Sequence, residues 1–289
     1  MPRVRASSTA RALVAPPLGR PAANLPASPM TAPFPPPHWR PLQASEAWTD
    51  VWRELHCAVR LVGRAGERFA AERPMGRHAA LELRDEHPIL IGALIAGKPN
   101  MRAGLDLVGL RLRLQDTEAQ PVANLPLAGI TASEAEAWIE RELSRRVDSG
   151  PRRDAHDAPA IAHPVEQGAR FGGEMRAERA SVVGLYANTR DYFRRFLGAA
   201  GQSARVLCEP DGFTLSARLE LPEAQALELR LLPPSERHPS GAWTSQLVGA
   251  DAPLIELGVE EVLGLQPGDQ AVALATFLRT SADGAKSAA

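Results

Sequence analysis

The feature that most limits this fold is a run of short apolar segments between residues 89 and 127, with no helical spacing between them. Residues 89–95 are apolar and lie between Pro88 and the pair Gly97 and Pro99, as a buried strand would. Leu105, Leu107, Leu110, Leu112 and Leu114 alternate, with a slip at Val108-Gly109 that reads as a β-bulge. Residues 122–127 read as another strand. Strands that follow one another without intervening helices exclude the alternating order of a parallel sheet. An antiparallel meander is expected instead, with helices over one face.

Helical spacing frames this block. Ser45 suits an N-cap, and Trp48, Trp52, Leu55, Val59, Val62 and Phe69 form one stripe that ends before Pro74 and Gly76. Residues 78–83 alternate weakly. Thr131 and Glu134 have capping-box spacing ahead of Ala135, Trp138, Ile139, Leu143 and Val147. The pattern then repeats. A helix is expected over residues 174–200, with Gly201 at its C-terminal cap. Strands follow near residues 205–208, 214–221, 226–232, 243–248 and 254–257, and a last helix opens at Pro267. The expected fold is α+β: two lobes, each of antiparallel strands flanked by helices, in the order helix-strands-helix twice. Residues 1–40 are read as a disordered Pro/Arg/Ala-rich tail and 41–148 as the N-terminal lobe. Residues 149–170 are read as a linker and 171–289 as the C-terminal lobe. The repeated order raises a diverged duplication.

Composition narrows the function classes. The 289 residues carry 33 basic and 34 acidic groups, so no global field favours nucleic acid or an anionic membrane. No apolar run approaches the ~18 residues of a membrane span. Cys57 and Cys208 are the only cysteines, too few for a disulfide framework, and a cytoplasmic setting is expected. Eleven of the 26 prolines precede residue 42, and residues 1–45 hold five arginines and no acid. Transit peptides share that charge bias, but the prolines would break their helix.

The candidate site residues come as constellations, since no Gly-x-Ser-x-Gly, Walker, Gly-x-Gly-x-x-Gly or His-Glu-x-x-His motif is present. His56 and Arg60 share a helix face beside Trp52, where imidazole and guanidinium could hold an anion. The plainer reading of His56 is a flank residue bonded to a strand backbone or to solvent. His78 and His87 bracket the first strand, and with His56 and Asp106 they would offer mixed nitrogen and oxygen ligands to a metal. Asp154, His156, Asp157 and His163 are dense in titratable groups, but the prolines around them make a solvated linker. Trp39, after three prolines and His38, lies off the helical register and is expected to fold back on the body.

Short motifs carry a resemblance. They are His38-Trp39-Arg40-Pro41-Leu42, Trp48, Leu55-His56, Leu61-Val62-Gly63-Arg64, His78, Leu105-Asp106-Leu107-Val108 and Leu125-Pro126-Leu127. After the linker come His163-Pro164-Val165, Gly168-Ala169-Arg170-Phe171 and Tyr186-Ala187-Asn188. Through these the chain resembles the domain of unknown function 5996 family of bacterial proteins, as a divergent member. The resemblance implies a start at Met30. Where the family shows Trp-Pro-His-His-Phe-Asp, this chain has Glu209-Pro210-Asp211-Gly212-Phe213-Thr214. Where it shows a Trp-His-Thr-Glu-Gly-Trp-like segment, this chain has Ala242-Trp243-Thr244-Ser245-Gln246. Losing those polar groups argues against catalysis. The expectation is a protein that binds a small molecule or protein partner between its lobes. It has no cofactor, no nucleic acid and no membrane, and self-association is left open. Trp52, His56, Arg60, His78 and Asp106 are its candidate ligand-binding residues. The rival expectation is a metal-assisted hydrolase using His56, His78, His87 and Asp106.

Overall fold

The computed structural model describes residues 39–288 apart from residues 44, 73–77, 85–87, 148–149, 152–153, 155–158, 204, 222–224 and 250–253. The expected tail therefore lies outside the described residues up to residue 38. Its last two members, Trp39 and Arg40, are held on the body. Of the linker cluster, His156 and Asp157 lie outside as well.

Helix α1 (Trp48–Phe69) buries the whole stripe read from its spacing. Its N-cap is Ala47, and Ser45 instead accepts the Ala47 N–H two residues ahead, at 3.2 Å. Five strands follow as an antiparallel meander: β1 (Glu82–Leu83), β2 (Ile89–Ile95), β3 (Met101–Asp106), β4 (Arg111–Asp116) and β5 (Pro121–Pro126). The slip at Val108-Gly109 is a hairpin turn rather than a bulge. The Asp106 carboxylate accepts the Gly109 N–H at 2.8 Å, and Leu110 takes a positive φ of 47°. A side-chain acceptor and one left-handed residue let the chain reverse there. Helix α2 (Ala132–Ser144) has the full Thr131–Glu134 capping box. A 3-10 turn at Pro164–Gln167 leads to α3 (Arg176–Ala199), and Gly201 follows at φ 71°.

The second meander is β6 (Val206–Glu209), β7 (Thr214–Glu220), β8 (Ala226–Leu232), β9 (Ala242–Val248) and β10 (Ile255–Gly258). A short helix, α4 (Val259–Leu263), had no signal in the spacing and turns the chain into α5 (Pro267–Ala288). No helix among the described residues is long and apolar enough to cross a membrane. The fold is thus α+β with two lobes, each an antiparallel sheet with helices.

Their first strands join the lobes. Leu81 and Cys208 form an antiparallel bridge between the β1 and β6 edges, with N–H to carbonyl distances of 2.9 and 2.8 Å. Leu81, Cys208, Leu215, Leu231 and Trp243 make a cross-strand row that spans the seam, and each is fully buried. The hydrophobic core is one cluster drawing on both sheets and on α1, α2, α3 and α5.

Each long helix also reaches the hairpin loops of the other lobe. From α1, the Trp48 indole donates to the Ser240 carbonyl at 3.2 Å and the Thr49 hydroxyl to Pro239 at 2.8 Å. Gly241, at φ 95°, lets that loop press on Trp52: a Cβ there would lie 3.0 Å from the indole. From α3, Arg190 donates to the carbonyls of Leu83 and Arg84, and Arg179 donates to that of Val108. This reciprocity, with two equivalent edges meeting antiparallel, is the pattern of a two-fold axis. A diverged duplication would leave such an arrangement.

Candidate functional site

Strand β6 alternates faces, as any strand does. Val206 and Cys208 point into the core and are buried. Arg205, Leu207 and Glu209 therefore stand together on the opposite face. A groove of about 820 Å³ opens over that face beside the seam. Arg205, Leu207 and Glu209 line one side, with Ser216, Arg218, Glu228 and Arg230 from β7 and β8. Glu67 at the end of α1 and His78 in the approach to β1 line another part. A sheet with one solvated face gives this site its polar floor.

The charges on the floor differ in how they are committed. Glu228 bonds Arg230 at 2.6 Å and Arg218 at 3.3 Å, and Arg218 also meets Glu220 at 2.9 Å. Arg205 and Glu209 have no ion-pair partner among the described residues. Arg205 immediately precedes β6 and Glu209 ends it, so along this extended run their Cα atoms are separated by about 13 Å. The groove lining thus includes an uncommitted cation and an uncommitted anion, with Leu207 between them in the chain.

Of the candidate residues from the sequence, His78 lines this groove, while Trp52, His56, Arg60 and Asp106 serve other contacts. Trp52 is wholly buried, edge-on to Tyr186 and Phe213 at centroid distances of 5.4 and 6.3 Å. Arg60 is buried too, and binds Glu166 at 3.0 Å and the Pro159 carbonyl at 3.1 Å. Arg64 and Arg68 extend that row, pairing with Glu136 and Glu140 of α2 at 3.0 and 2.9 Å. This i, i+4, i+8 spacing makes a ladder that ties α1 to its neighbours. Asp106 spends its carboxylate on its own turn, bonding the Gly109 N–H and Arg113.

His56 is bonded to backbone, close to the plainer sequence reading, but to a turn rather than a strand. Its Nε2–H faces two carbonyls of the β6–β7 turn, Pro210 at 3.1 Å and Asp211 at 2.8 Å. Burial lowers its pKa below 6.5, against those two carbonyls, and the nearby Arg60 charge adds to the lowering. Neutral His56 is therefore a clasp on the turn that forms one wall of the groove. His87 lies outside the described residues. Among those described, no group of three or more His, Cys, Asp or Glu side chains is placed to hold a metal ion. His56 Nε2 and both Asp106 oxygens are already bonded within the protein.

Burial also decides the cysteines. The Cys57 thiol is pushed up to about 12 by burial, with Glu166 adding to it, and burial raises Cys208 further still. Neither forms a thiolate readily, so neither is poised as a nucleophile.

The groove residues went unread because an alternating strand with polar outer positions looks like any solvated face. The available signal was the Arg205-x-Leu207-x-Glu209 alternation itself. No family model, curated protein or solved structure matches this chain.

Proposed function

We propose that this protein is a non-catalytic binding protein and that the groove beside the seam takes an elongated small molecule bearing both charge signs. The carrying observation is the uncommitted Arg205, just before β6, and Glu209, at its end, both lining the groove with apolar Leu207 between them. Arg205 would meet the ligand's anionic end and Glu209 its cationic end. The volume of the groove, about 820 Å³, falls within the usual range for small-molecule sites. Asp211, where the resembled family shows the first of its two paired histidines, lies in the same groove with Glu209 and Pro210. Gln246, from the second departing segment, pairs in register with Glu228 on that sheet face. The two places where the chain departs from the family thus share one surface, which supports a site kept for binding after its reactive groups changed.

Zwitterions of graded length, from glycine through ω-amino acids to tripeptides, test this by thermal shift. A length optimum is expected, with Tm rising at saturating ligand. Arg205→Ala and Glu209→Ala should each weaken binding about tenfold, the scale of one lost charged hydrogen bond. Both charges are exposed, so binding should also fall as salt rises. Tm shifts indifferent to both substitutions, or no shift with any zwitterion, would contradict the reading.

A further inference from the structure

A different part of the molecule, the cleft between α3 and α5, grips a peptide backbone. Asn188 of α3 accepts the Arg40 N–H at 3.1 Å and donates to the Arg40 carbonyl at 2.8 Å. Gln270 of α5 does the same for Leu42, accepting its N–H and donating to its carbonyl at 3.0 Å each. Both amides are buried, at 3% and 1% exposure. A primary amide carries one acceptor and a donor side by side, so it can copy the edge of a neighbouring strand. Residues two apart present the same edge of an extended chain. Two helices thus do here what a strand does in β-strand addition.

The side chains of the gripped segment divide cleanly. Leu42 is buried in the core cluster, and Trp39 meets Tyr192 edge-on at 5.5 Å. Arg40, Pro41 and Gln43 are exposed. Pro41 has no N–H to satisfy and its φ is preset, which lowers the entropy of holding the chain extended. The cleft therefore reads backbone at two positions and side chains at only two, an aromatic and a leucine three residues later.

We propose that the α3–α5 cleft is a binding site for an extended peptide of aromatic-x-Pro-Leu character, and that residues 39–43 occupy it as an internal ligand. A short tether gives such a segment an effective concentration of about millimolar, so a partner peptide in trans must outcompete it. The partner is a protein segment with that spacing, and its entry displaces the strap that precedes α1.

The probe is a fluorescein-labelled peptide of residues 38–44, added to the full chain and to the full chain with Trp39→Ala and Leu42→Ala. Anisotropy should show saturable binding to the double variant and at least about tenfold weaker binding to the unaltered chain, whose own strap competes. Adding Gln270→Glu to the double variant should weaken binding about tenfold, because the donor to the Leu42-equivalent carbonyl is gone. If the double variant is poorly folded, the peptide should restore its circular dichroism melt. A folded double variant that does not bind, an unfolded one that is not rescued, equal binding to the unaltered chain, or equal binding of a scrambled peptide would each overturn the proposal.

Discussion

Glu54 and Arg179 meet at 3.3 Å where α1 faces α3, with side chains only 2% and 3% exposed. Such a pair survives burial only when its remaining hydrogen-bonding capacity is met. Here it is: Glu54 also accepts the Gly172 N–H at 2.6 Å, and Arg179 donates to the carbonyls of Val108 and Gly173. The pair therefore joins α1, α3, the β3–β4 turn and the segment that leads into α3. Glu54→Ala should cost about 3–5 kcal/mol, because it leaves a guanidinium buried without its countercharge. Pairing Glu54→Leu with Arg179→Met should recover part of that and not all, since the Gly172 N–H and two carbonyls stay unbonded. Urea denaturation of the singles and the double checks it. Single variants within about 0.5 kcal/mol of the parent would place the pair at the surface level of importance. Nothing in the sequence announced this pair. Glu54 sits on a helix beside His56 like any flank residue, and its partner is 125 positions away.

Elements were far more legible than sites. The α1 stripe, the capping box of α2, and strands β7 and β8 were readable because periodicity and caps are local. The Val108-Gly109 slip was misread because a four-residue turn and a bulge leave the same one-residue phase change. The seam was invisible, since edge pairing between Leu81 and Cys208 depends on which strands end up unpartnered. His56 shows how an element contact carries a pH dependence. Its folded pKa is depressed, so the folded state binds the proton less well than the unfolded chain. Its contribution is complete above about pH 6.5 and is lost as the pH falls through the lowered folded value. His56→Gln can still donate to the turn carbonyls and does not titrate. It should shrink the loss of Tm between neutral pH and pH 5 relative to the unaltered chain. An unchanged pH profile would mean that the clasp between α1 and the β6–β7 turn carries no proton linkage.

At the scale of the whole molecule, the sequence suggested two lobes and left their relation open. The structure joins them through an edge bridge, a shared core and two helices that each reach the other lobe's hairpins. The groove depends on that union: β6, β7 and β8 supply its floor, and α1 and residues 78–80 supply its other side. A ligand held there stabilises only the joined state, so binding and lobe union are linked. If the union is as extensive as the contacts indicate, neither lobe unfolds alone.

The two cysteines allow that to be measured directly, because Cys57 lies in α1 and Cys208 at the β6 edge, and both are buried. The Cys57→Ala and Cys208→Ala chains each keep one reporter thiol. Thiol labelling of each across a urea series is compared with far-ultraviolet circular dichroism of the same chain. One body predicts that, within each chain, thiol exposure and loss of secondary structure share one midpoint. A thiol that becomes reactive in a separate transition, with most secondary structure intact, would show two independently folding lobes and contradict the account.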